Sequence, residues 1–357
     1  MTRRPNPLHA TFAPEKVAIG AALAVLAALV PLIYPSTYGI GVMVTMLVFV
    51  VLNISWNFLL GIAGVWNFGQ LAMFAVGGYG GGLLIIHASL PPWLAIAAGG
   101  VGGALLAVLL ALPTLRLYGI YTSLLTFAAA QVVQLLIQND TSGTTGGALG
   151  LPQVEGLFGG LDPLWSARAW YWLCLAFVIV VAAGLALLVR TPFGLALRTL
   201  RDSSAYAAAR GIDPRRYRVL AFALSGAVAG VAGALYTLYN GSISPTVMGL
   251  TPMSIYVTMI VIGGLGTIAG PIVGTVLVTI VQQALIDHPG TQMTVLGVVL
   301  IAIVVFVPRG IAFEAGKLRD RVVRWMNEEE EAPPAGAVAA GSSQSQESRL
   351  LAGREGS

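Results

Sequence analysis

Charge is scarce in this chain of 357 residues: Asp, Glu, Lys and Arg make up 10%, against 57% hydrophobic residues. A soluble domain carries about 25% charged residues, so a water-facing surface cannot be built from what is present. Lysine is almost missing, with only Lys16 and Lys317, and the net charge of +4 rests on arginine. The arginines lie at the ends of apolar runs, where they serve membrane topology rather than nucleic acid. Cys174 is the single cysteine, which excludes a disulfide framework and a thiolate metal site. Its apolar setting makes it a packed core residue. No Asp or Glu occurs from Val17 to Asn139 or inside the later apolar runs, so the carboxylates that usually couple protons or ions to transport are absent. Sodium sites built from carbonyls remain open. The chain also lacks G-x-x-x-x-G-K-[ST], H-E-x-x-H and G-x-S-x-G patterns. No catalytic residue, metal ligand or bound cofactor is therefore expected, and any energy must come from outside the chain.

What is abundant is apolar sequence and glycine, with 44 glycines in all. Apolar runs lie at about Val17–Tyr34, Ile40–Leu60, Gln70–His87, Trp93–Leu112, Tyr118–Ile137, Trp170–Leu188, Val219–Leu238, Met253–Ile268, Ile272–Ile286 and Met293–Val307. A spanning helix needs about 20 such residues. The fold class is thus all-α, a polytopic transmembrane helix bundle of about 8–10 spans with possible broken or re-entrant helices. Met1-Thr2-Arg3-Arg4 before an apolar stretch could open a signal peptide, but the many runs that follow favour a first span. Trp66, Trp93 and Trp170, near run ends, read as anchors at the membrane interface.

Charge placement tests the order of crossings. If Arg3, Arg4 and Lys16 are cytoplasmic, Arg116 falls inside, and the loop Asn139–Ala169 with Asp140, Glu155 and Asp162 falls outside. The arginine-rich stretch Arg190–Arg218 and the cluster Arg309, Lys317, Arg319, Arg321 and Arg324 then fall inside. Every basic cluster obeys one topology, with both termini cytoplasmic. Three parts follow: a cytoplasmic segment 1–16, a membrane domain 17–312 with a cytoplasmic loop at about 190–218, and a tail 313–357. From Glu328 the tail is acidic, then rich in Gly, Ser and Gln, a composition of disorder.

Two glycine clusters carry two readings each. Gly77, Gly78, Gly80, Gly81 and Gly82 lie in one run, and Gly263, Gly264, Gly266, Gly270 and Pro271 end another. Either segment is a break lining a path, or its glycines let helices pack closely, as Gly266, Gly270 and Gly274 do at four-residue spacing, and both can hold at once.

The loop 190–218 is the most informative polar segment. Thr191-Pro192 starts a helix, Gly211 with Pro214 stops it, and Asp202-Ser203-Ser204 offers a cap midway. Ala205, Ala208 and Ala209 share a face, and Arg198 and Arg201 lie three apart. A face of small residues suits docking into another protein's groove; a solvated positive-inside connector is the plainer reading.

The stretch Arg198-Thr199-Leu200-Arg201-Asp202-Ser203-Ser204-Ala205-Tyr206-Ala207-Ala208-Ala209-Arg210-Gly211-Ile212 resembles the coupling loop of ABC importer permeases. More narrowly, it is similar to the LivM-type permease of branched-chain amino acid importers. The likeness continues through Leu60-Gly61-Ile62-Ala63-Gly64, Asn67-Phe68-Gly69-Gln70, Leu115–Tyr121, Thr145-Gly146-Gly147, Ile262–Thr267 and Val307-Pro308-Arg309-Gly310-Ile311. Two departures stand out: Ser204 where the family usually has glutamate, and Gln70 where it often has histidine.

The resemblance implies a permease of the bacterial cytoplasmic membrane. A second, LivH-like permease would pair with it, two ATP-binding subunits would hold the ATP, and a periplasmic or lipid-anchored binding protein would deliver substrate. Arg201, Asp202, Ala205, Ala208 and Gly211 would form the ATPase-coupling surface. Gln70, Asn139 and Thr145 are candidates for the substrate path, although Gln70 also suits helix–helix bonding and the other two suit a loop turn. A permease for urea or short-chain amides is the nearest alternative, and an ion-coupled carrier a more distant one.

Overall fold

The computed structural model describes residues 14–33, 36–117, 119–152, 154, 156–287 and a few isolated positions from 294 to 311. They fall in one compact unit, Met1–Ala312. The tail and most of the expected span Met293–Val307 lie outside the described residues, as do Arg3, Arg4 and the basic cluster from Arg309 to Arg324. Among the described residues eleven α-helices run in order: α1 (Pro14–Ile33), α2 (Thr37–Asn57), α3 (Gln70–Ala88), α4 (Pro92–Thr114), α5 (Ile120–Gln138), α6 (Pro163–Leu188), α7 (Pro192–Asp202), α8 (Ser204–Ala209), α9 (Pro214–Asn240), α10 (Leu250–Gly263) and α11 (Ala269–Ala284). Among the described residues, six helices are long and apolar enough to cross a membrane, and α10 and α11 are shorter apolar helices. The protein is an all-α polytopic bundle.

Size, not polarity, decides which face of a helix turns inward. On α4, Ala95, Gly99, Gly103, Ala107 and Ala111 are buried at four-residue intervals, while Val101, Leu105 and Leu109 are exposed. That is the pattern of a helix whose outer face meets lipid and whose small residues let neighbours approach. The α3 glycines work the same way. A Cβ on Gly77 would strike the Gly230 backbone, one on Gly78 would press on Gly233 and Thr237, and one on Gly233 would strike the Phe74 carbonyl. Gly103 is just as close to Gly226. Helices α3, α4 and α9 therefore form a seam of touching backbones, and α3 is unbroken from Gln70 to Ala88. Close packing is the correct reading of this cluster.

The second cluster behaves differently. Gly264 at φ 111° and Gly266 at φ 80° end α10 and turn the chain into α11. Gly270 and Gly274 then pack against the backbone of α10. At 1.5 Å per residue these two helices are about 21 and 24 Å long, short of the roughly 30 Å hydrocarbon core. They form a glycine-broken hairpin. Asn53 of α2 holds both arms, its amide donating to Thr275 Oγ1 at 2.9 Å and to Met259 Sδ at 3.2 Å.

Successive loops alternate between the two ends of the bundle. At one end lie 58–69, 115–119, 189–213 and 264–268, tied by Arg201 on Gly61 and Asn57 on Gly266 and Thr267. At the other lie 139–162 and 241–249, joined by the Leu151–Ile243 bridge and the Val154 amide on the Gly241 carbonyl. Arg168 there donates to the Pro31 carbonyl at 3.0 Å. This alternation is the one expected from the arginines.

Two expectations need correction. Helix α6 begins at Pro163 rather than Trp170. Trp170 is consequently two turns inside it, 4% exposed and edge-on to Phe158 and Tyr239, a core residue rather than an interface anchor. Trp66 and Trp93 are exposed, and Cys174 is fully buried.

Candidate functional site

The arginine-rich loop folds as an elbow of two short helices. Pro192 opens α7 as its first residue, where a missing N–H costs nothing. Thr191 does not cap it; its hydroxyl donates to the Leu188 carbonyl instead. Gly194, Ala196, Leu197 and Leu200 are buried on one face, while Leu195 and Arg198 face outward. The helix stops at Asp202 because Ser203 is extended, and the Ser203 hydroxyl caps α8 by accepting from the Tyr206 amide. At the far end Gly211 takes φ 81°, the left-handed conformation that releases the chain toward α9.

Ala205 and Ala208 are exposed and line a cleft of about 340 Å³ with Leu115, Ser204, Asp213 and Arg215. No bulky side chain of α8 fills it. Tyr206 lies to one side, with the Arg210 guanidinium over its ring and bonded to its hydroxyl at 2.9 Å.

Arg201 reaches inward. Its Nη1 donates to the Gly61 carbonyl at 2.6 Å, and its Nε lies 3.2 Å from Asp202 Oδ1. The two contacts differ in worth. With side chains 41% and 70% exposed, the Arg201–Asp202 pair contributes about 0–1 kcal/mol. A charged donor on a partly buried carbonyl contributes about 1.5–3 kcal/mol. Gly61 therefore positions Arg201, and Asp202 is left presented to solvent. Gly61 lies in the π-helical turn Phe58–Ile62 that ends α2.

Gln70 is fully buried at the start of α3. Its amide donates to Ser55 Oγ at 2.9 Å and to Ser225 Oγ at 3.0 Å, and its oxygen accepts from the Asn67 amide at 3.1 Å. The Trp56 indole closes the set on the Asn67 carbonyl. These groups join α2, α3 and α9 in one network, as a buried amide in lipid requires.

Asn139 and Thr145 lie at the opposite end. Asn139 caps α5, its amide on the Leu135 carbonyl. The Thr145 amide and hydroxyl each donate to Asp140 Oδ2 at 2.7 Å, and the Ser142 amide donates to Oδ1. Those bonds, first from the Ser142 and Thr145 hydroxyls, hold the Asp140 carboxyl well below the usual carboxylate range. Asp140 organises this turn.

A larger cavity escaped the sequence reading. About 540 Å³ opens between α2, α9 and α11 near the Asn139 end, lined by Thr45, Phe49, Tyr239, Asn240, Thr279 and Gln282 among others. Among the described residues, no charged side chain lines it. Phe49 also meets the Tyr236 and Tyr256 rings at 6.0 and 5.0 Å, which places an aromatic group beneath it. The signal in the sequence was present but diffuse: Asn240, Gln282 and Gln283 are polar residues at the ends of apolar runs, far apart along the chain.

A family model described as the branched-chain amino acid transport system permease component matches residues 38–304. The chain belongs to this permease family. It is 27% identical over 288 residues to the high-affinity branched-chain amino acid transport system permease protein LivM of Escherichia coli K12, across 74% of this chain and 68% of that protein. The Salmonella typhimurium LivM is 26% identical over the same shares. The probable branched-chain amino acid transport permease protein LivH of Methanocaldococcus jannaschii is 33% identical over 175 residues, 46% of this chain and 55% of that protein. No solved structure matches significantly. The LivM-type resemblance read from the coupling-like stretch and its companion motifs is thereby borne out.

Proposed function

We propose that this permease is half of the membrane channel of an ABC importer for branched-chain amino acids, paired with a LivH-like second permease. The α7–α8 elbow carries this reading: a two-helix polar element at the basic end, with Ala205 and Ala208 bare beside an open cleft. A face of small exposed residues beside an open cleft suits docking into another protein's groove. Two ATP-binding subunits would take that position, with Asp202, Ala205, Ala208 and Gly211 at the contact and Arg201 turned inward behind it onto Gly61. The basic end is then cytoplasmic by the positive-inside rule. ATP bound by the partners would favour one of two arrangements through different contacts in each, the only physical route by which it can do work on this chain.

The substrate would be delivered by a binding protein at the Asn139–Thr145 end. The 540 Å³ cavity there supports a small neutral or zwitterionic solute, since uncharged amides and hydroxyls face it over an apolar and aromatic base. Gln70 supports the path from outside it, by fixing α2, α3 and α9 together.

Reconstitution tests this. Vesicles holding the chain, a LivH-like permease, the ATP-binding subunits and the binding protein should take up radiolabelled leucine only with ATP inside. Excess isoleucine should compete, and urea should not. Urea competition would replace the substrate class, and uptake without ATP-binding subunits would remove the importer reading.

A further inference from the structure

Gly61 holds an unusual place. The last carbonyls of a helix have no partner within it, and the π-helical turn Phe58–Ile62 ends α2 directly beneath the elbow. The Gly61 carbonyl is met from outside by Arg201, 140 residues away in sequence. The arginine stem crosses Gly64, whose φ of 70° and missing side chain leave it room. A positive group at a helix C-terminus also suits the helix dipole.

From Gly61 the contact continues into the α10–α11 hairpin. A Cβ on Gly61 would strike the Gly266 backbone, so the two glycines touch. One turn back on α2, Asn57 clamps the same hairpin turn twice: its oxygen accepts from the Gly266 amide at 3.0 Å, and its amide donates to the Thr267 carbonyl at 2.7 Å. Helix α7, the end of α2 and the tip of the hairpin thus meet within one cluster of bonds from side chains to backbone.

We infer that Arg201 is a positioning residue that transmits motion: its bond to Gly61 makes the α7–α8 elbow and the α10–α11 hairpin tip move as one piece. The inference rests on the importer reading and adds the joint through which a docked ATPase would act on the membrane helices. Asn53, deeper on α2, holds Thr275 and Met259 of the two arms. A displacement at the elbow therefore reaches the middle of the hairpin and not only its tip.

The test uses the reconstituted importer, reading leucine uptake and ATP hydrolysis in the same vesicles. Arg201→Met keeps the stem over Gly64 and removes the donor. ATP hydrolysis should persist while leucine moved per ATP falls at least tenfold, and Arg201→Lys, which keeps a charged donor group, should recover part of the ratio. An R201M complex that transports per ATP within twofold of wild type overturns the inference and leaves the importer reading intact. Wild-type vesicles in which ATP drives no uptake overturn that reading and the inference with it. A second measurement needs no change at Arg201. Spin labels at Leu195→Cys on α7 and Leu265→Cys on the hairpin tip, in a Cys174→Ala background, should keep a constant separation between nucleotide-free and ATP-trapped complexes. A change of several ångströms in that separation also overturns it.

Discussion

Two stretches of this permease share a composition and part company in structure. The glycines of α3 sit in one unbroken helix, while those from Gly263 to Gly270 break the chain into a hairpin. The difference lies in what surrounds them. On α3, Gly77 and Gly78 meet the backbone of α9 and Gly81 that of α4, and the helix holds because close contact rewards a helical course. Around Gly266 the neighbours are Gly61 and Asn57, and the bonds of Asn57 reach a turn rather than a helix. Glycine permits both outcomes, and its partners choose.

The comparison can be broken most forcefully on the α3 side. Gly233→Leu would drive a side chain into the Phe74 carbonyl, and since backbone cannot retreat from backbone the bundle should fail to assemble. Loss of the monodisperse peak in detergent is the readout; a folded, stable variant would show that the seam is looser than its contacts imply. Next in size is Gly266→Ala. At φ 80° an alanine costs roughly 1–2 kcal/mol, so the melting temperature in detergent should fall by several degrees with the bundle still formed. An unchanged melting point would mean that the turn is not held in this conformation.

Gly80→Ala sharpens the contrast from within α3. No atom lies within 4 Å of the added methyl, and an alanine in a helix interior gains roughly 0.5–1 kcal/mol over glycine. The variant should be slightly more stable, opposite in sign to its neighbours. The smallest effect concerns the far end of the bundle. The Asp140 carboxyl titrates well below the usual carboxylate range because Ser142 and Thr145 donate to it. Its bonds therefore order the loop above the ordinary carboxylate pKa and are lost as pH falls below it toward the lowered one. Amides of residues 142–145 should lose exchange protection in acid, and Asp140→Asn should lose much of it at neutral pH with little change in melting.

Most of the helices were legible because apolar length is a crude signal that survives in any single sequence. So was the elbow, since Pro192, Ser203 and Gly211 act through their own backbone chemistry. The course of α3 was not legible: glycine count does not say which backbone lies opposite. Nor was the partner of Arg201, because a carbonyl at the end of a helix has no side chain to announce it. The cavity was missed for a related reason. Thr45, Tyr239 and Gln282 become neighbours only once α2, α9 and α11 pack.

The seam among α3, α4 and α9 has one more consequence. Gly77, Gly103, Gly226, Gly230 and Gly233 already stand at the bottom of the size scale. In an ordinary core an enlarged residue can be forgiven by shrinking its neighbour. Here there is nothing left to shrink, so a lineage that gains a side chain at one of these positions has no second site on the facing helix at which to recover.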